Sequence, residues 1–219
     1  MIFLKLICNT AYLKEKTMIK DSGQRHEFSS GGVRDMSIGK GKCSLLPLKE
    51  VCELTEYEAN RFTNNYIGYV SPLRFIHAYI QSAGEHPFGE GDESFIYEAL
   101  CVFAKKERGW DMPTLVIEVS KHFEEGAIKY KPNNWRLGLD ASCYIDSGVR
   151  HYLKWKRGDD DENHDRAFVW NMLCMIWTVR NKPEFNDIAK MEETPNADRP
   201  NKQQMCQIQD DDRSYSVEI

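Results

Sequence analysis

Three stretches of this chain carry acids and bases at spacings that put them on one helical face. Glu118, His122, Glu125 and Lys129 differ by four, three and four positions, which in a helix is a single stripe. Asp146, Arg150 and Lys154 repeat at one-turn intervals, with His151 beside them. Asp159, Asp160, Asp161 and Glu162 form an acid run followed by His164 and Asp165, and Glu162 and Asp165 are spaced to share a face. Carboxylates converging from separate helices can hold hard divalent cations such as magnesium, which prefers oxygen ligands. Such ions polarise phosphoryl oxygens and activate water. Lys129, Arg150 and Lys154 would then meet a polyphosphate. Each stretch read singly has a plainer account. The acid run suits a solvated helix start, the Glu118 stripe suits an exposed salt-bridged face, and His151 or His164 suits a satisfied polar group.

The elements that must position these groups are helical. Apolar residues return at helical spacing from Leu48 onward, and Ser71-Pro72 is an N-cap and first-turn pair. The pattern predicts helices over about 48–62, 72–82 and 93–106, then 114–130, 142–157 and 162–179, with Pro132–Gly138 and Gly158 as breaks. Residues 21–48 are rich in glycine, serine and charge and read as a long functional or disordered loop. β-Strand signal is weak. Residues 191–219 lose the apolar period and read as a disordered tail.

The bulk properties exclude several classes. The 219 residues carry a net charge of −5, and 41% of them are hydrophobic, enough for a core. An acidic sequence pI near 5.7 argues against a general duplex nucleic-acid surface. The seven cysteines, Cys8, Cys43, Cys52, Cys101, Cys143, Cys174 and Cys206, are scattered and form no CxxC pair, which suits a reducing compartment. The short apolar start lacks the features of a secretory signal, and no run approaches the ~20 apolar residues of a membrane span. A cytoplasmic protein is expected. Gly39-Lys40-Gly41-Lys42 is not a Walker loop, because the frame and the following Ser or Thr are missing.

The ordered series of motifs resembles a known family. Arg34-Asp35, Gly39-Lys40-Gly41-Lys42 and Leu45-Leu46-Pro47 resemble the N-terminal signature of the phage and bacterial dATP/dGTP diphosphohydrolases, relatives of the MazG-like all-α nucleotide pyrophosphatases. Phe123-Glu124, Gly126-Ala127, Lys129-Tyr130 and Asn134-Trp135 are similar to a second block. Asp146-Ser147 with Arg150-His151 is similar to a third. Gly158, Asp161-Glu162, His164, Ala167 and Trp170-Asn171 are similar to a fourth. The resemblance covers roughly 21–48 and 113–180. This chain departs in having some 65 residues between the first two blocks, Asp165 in place of an apolar residue, Lys42 in place of Arg, and Ser44 in place of Asp.

The resemblance implies an all-α, MazG-like helical bundle with a glycine-rich N-terminal segment and a helical insertion. The expected organisation is an extension at 1–20, a nucleotide-covering segment at 21–48, the insertion at 49–112, a catalytic helical core at 113–185 and a tail at 186–219. It implies magnesium, with manganese as substitute, and hydrolysis of a purine deoxynucleoside triphosphate to monophosphate and pyrophosphate. Glu124, Asp161 and Glu162 are then the leading metal ligands. Glu125, Asp146, His164 and Asp165 serve as further ligands, base or support. Lys129, Arg150 and Lys154 neutralise phosphate, while Arg34, Lys40 and Lys42 close over the nucleotide. Asn134 and Trp135 fit the base or sugar pocket, with His151 and Asn171 also on the substrate side; Asn171, Tyr130 and Trp170 have a packing role as the competing account. Homo-oligomers are expected. Three other readings stay open: another modified or signalling nucleotide as substrate, sequestration of a nucleotide without turnover, and a helical scaffold whose acid clusters are merely solvated.

Overall fold

The computed structural model describes residues 23–61, 70–86 and 91–193. The expectations for residues 1–20 and for 194–219 lie outside the described residues, as do Phe62 and Pro87. Two compact units divide the chain, Met1–Lys40 and Gly41–Ile219.

In the first unit, β1 (Arg25–Glu27) pairs antiparallel with β2 (Val33–Asp35), with His26 opposite Arg34. The loop closes through Gly31 at φ +79°, whose N–H donates to Phe28 O at 2.8 Å. The residues of β1 are all exposed, so this hairpin is specified by its turn and not by an apolar face. That is why the loop expected over 21–48 contains a hairpin.

The second unit is helical, as expected. It contains α1 (Leu48–Arg61), α2 (Pro72–Glu85), α3 (Ser94–Val102), α4 (Met112–Tyr130), α5 (Ala141–Arg157), α6 (His164–Asn181) and a short α7 (Lys190–Glu193). The helix starts follow their caps. Ser71 accepts from Leu73 N–H at 3.3 Å, and Asp111 accepts from Thr114 N–H at 2.9 Å with Pro113 in the first turn. The N-terminus of α5 is capped from a distance: Ser142 donates to Asp187 through its N–H at 2.8 Å and its hydroxyl at 2.6 Å. Gly158 closes α5 at φ +87°, its N–H reaching Lys154 O and Trp155 O.

Two boundaries differ from the pattern-based expectation. The helix expected to run to residue 106 turns π-helical over Phe103–Arg108 and ends at left-handed Gly109. Helix α6 begins at His164, so Asp161 and Glu162 stand in the connection before it. Ordered structure also continues past residue 185, where Ile188 is fully buried.

One apolar core joins the segments on either side of residue 112. Leu54, Ile96, Leu100 and Phe103 belong to the same cluster as Leu115, Phe168 and Met172. The α5–α6 pair is the most extensive helix pairing. Gly148 makes it close: a Cβ there would lie 2.5 Å from Met172 Cε and 3.3 Å from Asn171 Cβ. Among the described residues no helix is long and apolar enough to cross a membrane.

Arg180 ties α6 to the helices on the far side of the core. Its Nε donates to Glu93 Oε1 at 2.7 Å, and its Nη1 lies 2.6 Å from Glu53 Oε2 and 3.4 Å from Glu50 Oε1. Glu50 is buried at 1% exposure, and burial raises the Glu93 carboxyl above the usual range against the lowering effect of Arg180. Removing one partner of such a network leaves an uncompensated buried charge. Arg180→Met is therefore expected to cost about 3 to 5 kcal/mol in a denaturant melt; an unchanged midpoint would show that the clamp contributes nothing.

Candidate functional site

The connection between α5 and α6 brings four of the sequence candidates together. His164, the first residue of α6, has a side chain only 1% exposed. Its Nε2 lies 2.8 Å from Asp161 Oδ1, and its Nδ1 lies 3.0 Å from His151 Nδ1 on α5. Glu162 Oε1 sits 3.3 Å from His151 Nδ1 and 3.4 Å from His164 Nδ1. Lys154 Nζ donates to Asp161 Oδ2 at 2.8 Å. That lysine, followed by His164, pulls the Asp161 carboxyl down to about 2.

One of these contacts assigns an imidazole hydrogen. A carboxylate only accepts, so the Asp161 contact calls for a hydrogen on His164 Nε2, while the direction of the His151–His164 contact follows from the tautomers. The two ring nitrogens of His164 thus face two donor sets. One is His151, Glu162 and His164, and the other is Asp159, Asp161 and His164; within each set the donor atoms lie within 4.8 Å of one another. Mixed carboxylate and imidazole donors fit a divalent first-row ion such as manganese, and the carboxylates alone fit magnesium.

Helix α4 forms the next wall. Glu125 is exposed, with Oε2 at 3.6 Å from His122 Nδ1 and Oε1 at 3.5 Å from Arg166 Nη1. Burial, helped by His151 and Arg166 and opposed by Glu162, pushes His122 down to about 4. His122 Nδ1 is buried without a hydrogen-bond partner, and its ring lies 5.8 Å from that of Trp170.

Other candidates, Lys154 excepted, stand apart from this cluster. Glu124 is buried at 8% exposure and its Oε2 accepts from Gly41 N–H at 2.9 Å. Gly41 adopts φ +90°, and a Cβ there would lie 2.0 Å from Ser120 Oγ, so only glycine lets this strand of chain lie against α4. Lys42 N–H donates to Ser120 O at 3.1 Å while its side chain is exposed. Asp165 pairs with Arg108 at 2.8 Å and turns toward the π-helical segment. Asp146, Arg150, Lys154 and Arg157 line a shallow groove of about 540 Å³ along α5 with Val149 and Leu153. Lys129 and Asn134 are exposed, and Lys129 lies over its neighbour Tyr130.

Trp135 packs in an aromatic group, with ring centroids 5.5 Å from Phe123 and 5.0 Å from Trp177. Asn171 is buried and donates to Ala167 O at 2.8 Å, beside Gly148. Arg34 and Lys40 belong to the hairpin unit, where both side chains are exposed. Sequence reasoning overlooked Arg166 and the part of Asp159 in a donor set. It saw His122 on a stripe without a role. The signal for Arg166 was faint: a base at the head of an otherwise apolar helix.

Residues 99–188 match the family model described as dATP/dGTP diphosphohydrolase, N-terminal. The match runs from α3 to the residue after Asp187, and so contains every member of the His164 cluster. No curated protein and no solved structure matches the chain.

His122 gives this region an acid sensitivity with a definite sign. Its folded pKa lies below the ordinary value of 6.5, so the folded state binds fewer protons than the unfolded one at mildly acid pH. Its contribution is complete above pH about 6.5 and is lost as pH falls toward about 4. In chelator, His122→Gln is expected to flatten the stability profile over that window by roughly 2 to 3 kcal/mol. Identical profiles for the two proteins would contradict the buried neutral imidazole.

Proposed function

From the match of residues 99–188 to the dATP/dGTP diphosphohydrolase N-terminal model, we propose that this chain is a hydrolase that cuts a purine deoxynucleoside triphosphate to monophosphate and pyrophosphate with a divalent metal. The observation that carries this reading is the meeting of His151, Asp161, Glu162 and His164 at the head of α6, inside the matched segment. The proposed ion holders are the two donor sets that share His164, one with His151 and Glu162 and the other with Asp159 and Asp161. Glu124, first among the sequence candidates, anchors the glycine segment at Gly41 in this account. A bound ion supplies Lewis acidity toward a phosphoryl oxygen and lowers the pKa of water.

The side chains around the cluster complete the chemistry. Lys154, beside Asp161, and Arg150, one turn earlier, supply positive charge along the α5 groove for the triphosphate. Glu125 stands at the edge of the cluster, exposed, as the candidate base for the attacking water. Lys42 leaves the Gly41 contact with an exposed ammonium that a leaving pyrophosphate would attract. Magnesium is the expected physiological ion, and the two histidines favour manganese as an efficient substitute.

Incubating the chain with each common nucleoside triphosphate and magnesium or manganese is expected to release pyrophosphate and monophosphate, fastest from dATP or dGTP. His164→Ala and Asp161→Asn are each expected to lower turnover by about 100-fold or more, the scale of losing a group that stabilises transition-state charge. Orthophosphate as product, or wild-type turnover by both variants, would contradict the proposal.

A further inference from the structure

Glu118 and Glu125 lie two turns apart on α4, and Arg166 from the first turn of α6 reaches both. Its Nε is 2.8 Å and its Nη2 2.5 Å from Glu118 Oε2, and its Nη1 is 3.5 Å from Glu125 Oε1. Lys121 Nζ approaches the other Glu118 oxygen at 2.5 Å. The contact is sheltered: the side chains of Arg166 and Glu118 are 18% and 20% exposed. Two sequence positions separate Arg166 from His164, so one helical turn carries both the donor cluster and this guanidinium.

Sites that bind two divalent ions hold them about 3.5 to 4 Å apart between carboxylates from facing elements. Glu118 and Glu125 are carboxylates of that type on one helix, and a guanidinium from α6 bridges them. Among the described residues, the donor groups close enough to share an ion all include His164, and none includes Glu118 or Glu125. A guanidinium stays charged at any physiological pH and its fork matches carboxylate oxygens. It therefore gives permanently part of the positive charge that a second ion would bring on binding.

We propose that Arg166 is a built-in cation that commits Glu118 and one oxygen of Glu125, Oε1, and so keeps α4 from adding a second divalent ion to the one held beside His164 in one of its two donor sets. This rests on the metal-dependent reading above. Arg166 acts here as a positioning residue, through the two glutamates.

Manganese titration of the full chain, read by calorimetry and by the electron paramagnetic resonance of free Mn²⁺, tests it. The wild type is expected to take up one ion per chain. Arg166→Met is expected to take up two, and Arg166→Lys, which restores the charge, to remain at one. Glu118→Gln is expected to leave the affinity of the first ion within about twofold, because that carboxylate does not touch it. Two ions on the wild type, or one on a folded Arg166→Met protein, would overturn the proposal. If Arg166→Met fails to fold, Glu118→Gln decides: a loss of about tenfold or more in affinity makes Glu118 a ligand and ends the idea. A wild type that binds no ion would instead remove the metal-dependent reading itself.

Discussion

Both ring nitrogens of His164 are engaged in a nearly water-free position, and the geometry of the candidate site follows from that. One nitrogen meets Asp161 at 2.8 Å and the other meets His151 at 3.0 Å. Pairing both nitrogens of this buried ring goes with a connection 158–163 that folds back over the end of α5, and with α5 and α6 lying close. Gly148 supplies that closeness against Met172, two helical turns further along α6 than His164. Gly158 supplies the reversal. Carboxylates that would be a solvated run in a longer loop are thereby gathered around one ring.

A second constraint acts on α4. Gly41 accepts no side chain against Ser120, and its N–H ends on buried Glu124. One face of α4 thus receives the glycine segment. Arg166 ties Glu118 and Glu125 on the same helix to α6. At the opposite end of α6, Arg180 draws in Glu50, Glu53 and Glu93. Helix α6 is therefore fastened by ion pairs at both ends and by an apolar middle, Ala167 to Ile176, where most side chains are fully buried. A rigid support of this kind suits a site that must keep donor atoms at fixed separations.

The helical character was legible because local signals agreed: Asp111 and Pro113 at the start of α4, Gly158 at the end of α5, and apolar stripes between them. The hairpin was not, since Arg25, His26 and Glu27 carry no apolar alternation. The head of α6 was misplaced by two residues because an acid run favours a helix start without marking it. The chemistry was visible as residue types on stripes, but burial was not. His122 and Trp135 show why: an imidazole or indole that packs and one that binds have the same letters, and only tertiary neighbours such as Trp170 or Phe123 separate them. Arg166 lay beyond sequence reasoning, because its partners are 48 and 41 positions away.

Crystals grown with manganese and a non-hydrolysable deoxypurine triphosphate, measured at the manganese absorption edge, test the central claim most directly. The account predicts an anomalous peak within coordinating distance of His164 and of Asp161 or Glu162, with the triphosphate extending along Arg150 and Lys154. A peak elsewhere on the molecule, or a nucleotide bound with no peak beside His164, would contradict it.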